Sequence, residues 1–104
     1  MADDPTRYCL TLICPPAVEE KLLDLLLAHA GNDVFTSTAC FSHGNAPGSL
    51  TATEQAMGRS RAVQVSILLS ADELSDLRSR LQGEFAGTGL RYWALPLALE
   101  GAFK

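Results

Sequence analysis

Cysteine is scarce in this chain: Cys9, Cys14 and Cys40 are the only three, an odd number with no C-x-x-C pair. That excludes a disulfide scaffold and predicts reduced thiols. Positive charge is scarce too. Eight Lys+Arg stand against twelve Asp+Glu, a net charge of −4, which argues against broad electrostatic binding to nucleic acid or to an anionic membrane. The apolar run near the start is short and carries charge, and "MADDPTR" opens acidic. Neither an export signal nor direct membrane insertion is therefore expected, and the predicted location is cytoplasmic. There is no P-loop, no metalloprotease signature and no recognisable Ser-His-Asp or Cys-His arrangement, so the expectation is a protein that is not an enzyme.

What is present is a regular order of apolar patterns. The 104 residues are 47% hydrophobic, enough for one domain around one core. "YCLTLICPP" reads as a strand with Tyr8, Leu10, Leu12 and Cys14 on one side and Cys9, Thr11 and Ile13 on the other. Pro15 and Pro16 stop it, and Pro16 suits a first helical turn, where its missing N–H is not needed. Val18, Leu22, Leu25, Leu26 and Ala30 then fall at helical spacing. Glu19 and Glu20 sit in the first turn, where the helix dipole favours them, and Gly31 supplies the stop.

"DVFTSTACFS" and "RAVQVSILL" are the second and third strands. Ser70 and Glu73 form an S-x-x-E capping box ahead of Leu74, Leu77, Leu81 and Phe85, the buried stripe of a second helix. "GTG" at 87–89 is a turn, and "LRYWALPLAL" is the fourth strand. Pro96, lacking a ladder donor, predicts an edge or an end there. The order βαββαβ predicts an α+β, ferredoxin-like fold: a four-stranded antiparallel sheet with two helices on one face. The other face would be left without helices. It would draw on Cys9, Thr11, Ile13, Thr36, Thr38, Cys40, Arg91, Trp93 and Leu95 according to each strand's parity, and such an apolar surface predicts a homo-oligomer.

Residues 43–60 are expected to form a long connection between the second and third strands, within a single domain spanning 1–104. So long a connection in a small domain usually binds something. It opens on His43-Gly44, turns through Asn45-Ala46-Pro47-Gly48, and offers a second capping box at Thr51 and Glu54, after which Gln55, Ala56 and Met57 continue a short helix to Gly58. Arg59 and Arg61 lie at its exit.

Together these features are similar to the PII-like signalling superfamily, which includes the CutA proteins. More narrowly, "YCLTLICPPAVEEKLLDLLL", "EQAMGRSRAVQVSILL" and "GTGLRYWALPL" resemble a small bacterial PII-like family of unknown function whose members accompany heavy-metal efflux systems. The resemblance implies a homotrimer with its helix-free sheet faces turned inward and clefts between subunits. It implies a T-loop-like β2–β3 connection that changes shape with ligand, and an adenine nucleotide held partly by Gly87, Thr88 and Gly89. Paired glycines let backbone N–H groups approach a phosphate. The family's phosphate-contacting lysine is replaced by Leu90, with Arg91 one step on, and the C-terminal arginines of true PII proteins have no counterpart in "LALEGAFK".

Two chemistries stay open beside each other. Arg59, Arg61 and Arg91 can clamp an anion, a nucleotide phosphate or bicarbonate, because guanidinium is a bidentate donor. His43 and Cys40 (with Cys14 and Cys9 as further thiols) are soft ligands suited to copper or zinc, provided a bend at Ser42 brings them to one side. Glu54, Gln55 and Met57 are candidate contacts to a partner protein such as a membrane transporter, or simply cap and solvate the connection. Tyr92 and Trp93 read as packing and interface residues, and His29 as a partner of the last helical carbonyls. A constitutive trimeric adaptor without ligand is the remaining alternative.

Overall fold

Alternating apolar residues in four segments produce four strands, each placed by what its inward side chains can bury. A computed structural model describes residues 5–30, 34–44 and 59–104. Strand β1 is Arg7–Cys14, and a 3-10 turn, Pro16–Val18, leads directly into helix α1, Glu19–Ala30. Strands β2 (Phe35–His43) and β3 (Arg59–Ser70) follow, then helix α2 (Ala71–Phe85) and strand β4 (Arg91–Pro96). The sheet order is β2-β3-β1-β4 with every neighbouring pair antiparallel. The expected α+β, ferredoxin-like arrangement is therefore the observed one.

The core is the helix-side face. Leu10, Leu12 and Cys14 of β1 and Val65, Ile67 and Leu69 of β3 pack with Leu22, Leu25 and Leu26 of α1 and Leu77, Leu81 and Phe85 of α2. α2 begins as its sequence dictates. Ser70 Oγ accepts from the Glu73 N–H at 3.1 Å, and the Glu73 carboxylate accepts from the Ser70 N–H at 2.8 Å. That reciprocal cap holds the Glu73 carboxyl below its ordinary value of 4.5, through the Ser70 backbone bond first and the Ser70 hydroxyl second, with Arg7 and His29 adding. A depressed carboxyl stabilises the fold above its unfolded pKa and loses that contribution as pH falls through the folded one. Ser70→Ala is accordingly expected to cost about 1 kcal/mol and to flatten the acid limb of stability below pH 4.5, read by urea denaturation from pH 7 to pH 3.

The ladder registers fix the parity of the other face. Thr11 pairs with both Ser66 and Trp93, Ile13 with Gln64 and Arg91, and Cys9 with Leu68 and Leu95. Thr36, Thr38 and Cys40 join the same rows through Ser66, Gln64 and Ala62. Residues paired across a ladder share a side and alternate along it, so all nine candidates for the helix-free face, left open by strand parity in the sequence, lie there together.

Strand bounds differ from expectation around the second connection. Ser42 pairs with Ser60, and His43 with Arg59. His43, Arg59 and Ser60 are thus ladder residues, where the sequence pattern placed them in the connection. The physical reason is that an antiparallel ladder continues while its backbone can stay extended, and the described chain first leaves that conformation at Gly44, φ +79°. Residues 45–58, with the second capping box and Glu54, Gln55 and Met57, lie outside the described residues, as does Gly31. At the far end the fourth strand, an outer one, stops at Pro96, where its missing ladder donor predicted an edge or an end. The Leu97 N–H, the next donor in the chain, bonds to the Arg7 carbonyl at 2.8 Å.

Candidate functional site

One end of the sheet gathers most of the candidate residues. β1 ends at Cys14, paired with Val63, yet β2 and β3 remain paired for four further rows, Cys40–Ala62 through His43–Arg59. A two-stranded ribbon about 13 Å long therefore projects past Pro15 and the start of α1. The Gly87–Gly89 turn lies at this same end, because a Cβ on Gly89 would meet Pro15 Cγ at 3.3 Å.

The helix-side face of the ribbon carries Phe41, Arg61, His43 and Arg59. The Arg59 guanidinium lies 4.1 Å from the centroid of the Phe41 ring, a cation–π contact, with its Nε buried and without a hydrogen-bond partner. Phe41, Arg61, Pro16 and Glu19 help line a cleft of about 390 Å³ where the ribbon meets α1. Arg91 pairs with Ile13 and is exposed on the opposite, helix-free face. Within one subunit the three arginines therefore serve two different surfaces.

The Gly-Thr-Gly turn is built as two positive-φ glycines, Gly87 at +80° and Gly89 at +89°. Thr88 between them is engaged within the chain. Its N–H and its hydroxyl both donate to the Phe85 carbonyl, at 3.2 and 2.7 Å, and its Oγ accepts from the Leu90 N–H at 3.4 Å. Thr88 thus closes the end of α2. Leu90, at the lysine position of the resemblance, packs against the core. Gly89→Ala is expected to destabilise the protein by about 1–2 kcal/mol, since it adds the Pro15 contact to an unfavourable φ. Gly87→Ala, with open space around its Cβ, is expected to cost less, and paired thermal melts separate the two.

Cys40 and His43 are not brought together in one subunit. β2 runs unbroken through both, without the bend at Ser42 that a shared site required, so Cys40 faces the helix-free side and His43 the helix side. Cys14 is fully buried, and its Sγ donates to the Pro15 carbonyl at 3.2 Å. Burial, with Glu19 second, pushes its thiol up to about 11, which makes it a small core residue rather than a thiolate ligand. Among the described residues no group of three His, Cys, Asp or Glu side chains is placed to hold a metal ion, and no helix is long and apolar enough to cross a membrane.

Sequence reasoning missed Phe41 as the platform for Arg59, a diagonal neighbour visible only once register is known. It also missed a groove of about 630 Å³ between α2 and β4. Arg78 lines that groove, its Nε donating to the Tyr92 hydroxyl at 3.1 Å and its guanidinium 5.4 Å from the Tyr92 ring centroid.

A ferredoxin-like sheet with one helix-free face, extended at one end into a ribbon beside a glycine turn, is a fold that this chain shares with PII-like and CutA proteins of known structure. The chain belongs to the family described as a protein of unknown function, DUF3240, which matches residues 5–104. It is similar in structure to a DUF3240 family protein from Shewanella baltica OS155, with a TM-score of 0.77 and 17% identity over 97% of this chain and 100% of that one. It is similar also to CPII, a nitrogen regulatory PII-like protein from Thiomonas intermedia K12 whose structure holds ADP, AMP and bicarbonate (TM-score 0.69, 15% identity, 94% and 97% covered). CutA from Synechococcus elongatus PCC7942 matches with a TM-score of 0.64 at 18% identity, covering 92% of this chain and 80% of that one. No curated protein matches the chain in sequence.

Proposed function

We propose that this protein is a PII-like regulator that binds a small anion and passes its presence to a partner protein. Subunits associate as a homotrimer through their helix-free sheet faces. The clefts so formed take an adenine nucleotide or a related anion near the Gly87–Gly89 turn, with Arg91, Arg59 and Arg61 as the available cations. Residues between His43 and Arg59, including Glu54, Gln55 and Met57, then contact the partner, for which a membrane transporter is the leading candidate. The observation that carries this reading is the helix-free face, on which two large apolar side chains, Trp93 at 44% and Leu95 at 60%, stay exposed in the single subunit. Its fold likeness to a PII-like protein bound to ADP, AMP and bicarbonate supports the ligand class. Binding rather than catalysis is the activity, and ligand contacts would offset the entropy of fixing the connection.

Isothermal titration with ATP, ADP, AMP and bicarbonate tests it. Saturable heat is expected with at least one of them, weakened about tenfold or more in Arg59→Ala or Arg61→Ala, because a charge-assisted hydrogen bond contributes about 1.5–3 kcal/mol. No heat with any of the four, and no change in proteolytic cleavage between residues 44 and 58, would remove the ligand-gated reading. Copper and zinc belong in the same series with His43→Ala, since metal drawn from several subunits is the rival chemistry.

A further inference from the structure

At the end of the sheet where β1 begins, both margins carry exposed apolar side chains. On the β4 margin they belong to residues 97–104. The Leu97 N–H donates to the Arg7 carbonyl at 2.8 Å, and the Glu100 carboxylate lies 3.7 Å from the Arg7 Nε. Those contacts attach the segment to its own subunit and hold Glu100 against Arg7. What the segment offers outward is Leu99, 92% exposed, and Phe103, fully exposed. Large apolar side chains on an anchored backbone are unfavourable to leave in water.

On the β2 margin the exposed residues are Val34, at 83%, and Leu27, at 61%. Val34 immediately precedes Phe35, whose ladder partner is Ile67, so it stands level with Leu68 and hence with Cys9 and Leu95. Val34 and Leu95 are thus at opposite ends of one row across the sheet. Leu27 lies over the same margin as Val34. Lys21 marks the flank of α1 that faces α2, because its Nζ donates to the Glu84 carbonyl at 3.1 Å and stands 4.9 Å from the Phe85 ring centroid. Six residues on, Leu27 is turned about 120° round the helix from Lys21. That puts it on the opposite flank, away from α2 and toward β2, the strand that α1 leads into.

Two different patches, on opposite margins and at one level, are what a cyclic assembly joins. Rotation about an axis along the strands brings the β4 margin of each copy to the β2 margin of the next and leaves both at the same height. We infer that Leu99 and Phe103 of one copy pack on Val34 and Leu27 of the next, so that residues 97–104 clamp each subunit to its neighbour. The occupant is a second copy because the contact continues the helix-free face. Leu95 leads into the segment on one margin, and its row ends at Val34 on the other, so the copy that covers Leu95 also brings up Val34. The clamp presupposes that helix-free faces meet, as in the proposed homotrimer.

Paired cysteines test the clamp. In a background with Cys9 and Cys40 replaced by serine and the buried Cys14 retained, Phe103→Cys is combined with Val34→Cys. Phe103→Cys with Ala39→Cys, further along β2, is the control. Under mild oxidation the 34/103 pair is expected to give covalent dimers and trimers on non-reducing gels, about tenfold or more above the 39/103 pair, because a disulfide needs Cα atoms within about 7 Å. No product between chains, or equal yield from the two pairs, overturns the inference. With the native cysteines in place, Leu99→Ser with Phe103→Ser is expected to weaken self-association about tenfold or more in sedimentation. Far-ultraviolet dichroism should not change, since neither side chain is buried in its own subunit. Unaltered association in this variant also overturns the clamp. The two contacts fail separately. Assembly that survives Trp93→Glu with Leu95→Glu while the 34/103 product forms removes the face contact and keeps the clamp. Assembly that is lost in that variant, with no 34/103 product from otherwise assembled protein, removes the clamp alone. A monomeric wild type removes both.

Discussion

Replacing Trp93 and Leu95 together with glutamate is expected to convert the protein to a monomer that keeps its fold. Both side chains project from β4 on the helix-free face, in rows with Thr11 and Cys9 at the middle of the sheet. In the single subunit they stay substantially exposed, so the substitutions remove little burial within the chain. Between subunits the effect is large. Each glutamate would bring a carboxylate into a surface that also holds Ile13 and Leu68, and desolvating that charge between subunits costs several kcal/mol, beyond what the neighbouring exposed Arg91 offsets. The association constant is expected to fall by roughly 100-fold or more, seen as a shift to monomer mass in light scattering at micromolar concentration with unchanged far-ultraviolet dichroism. A wild type that is itself monomeric, or a double variant that keeps its assembly, would deny the proposed clefts their walls. Ligand heat should vanish in the same variant, which links assembly to binding in one preparation.

The second large effect belongs to the core. Leu77 of α2 is fully buried with Leu81 and Phe85 beside the β1 and β3 side chains. Leu77→Ala removes the middle contact of that stripe and leaves a cavity between two elements that cannot easily close over it. The expected loss is about 3 kcal/mol, a large fraction of the total stability of a domain this size. Chemical denaturation should show a lowered midpoint with unchanged slope. An equivalent change at Leu74, which is only partly buried, is expected to cost less. The contrast between two leucines three residues apart tests whether α2 packs on the face assigned to it.

The fold also sets what the cysteines can do. Cys14 is held in the core with its thiol pushed up to about 11, so it should resist alkylation in the native protein at neutral pH. Cys9 and Cys40 lie on the helix-free face, six residues apart as measured along β3 by their partners Leu68 and Ala62. They are separated within one subunit, and only an assembly could bring thiols from different chains together.

Much of this was legible in the residues alone. The periods of two and 3.6, the Pro15-Pro16 stop, the Ser70–Glu73 box and the Gly-Thr-Gly turn are local instructions. Each acts through neighbours a few residues away, so element type and order followed from them. Alternation within each strand was legible for the same reason, but which side of each strand joins the helix-free face waited on the ladder registers. Register was decided only by the tertiary structure. The ladder carried His43, Arg59 and Ser60 into the sheet, stacked Arg59 on Phe41, and parted Cys40 from His43 onto opposite faces. Thr88 looked like a ligand contact, yet its hydrogen bonds close α2. The groove between α2 and β4 is completed by Leu10 and Leu12 of β1, more than sixty residues away in the chain, so no local pattern announces it. Short-range sterics and hydrogen bonding write the elements into the chain; the surfaces where ligands and partners meet come from long-range pairing, which the sequence encodes only through the shape of the finished core.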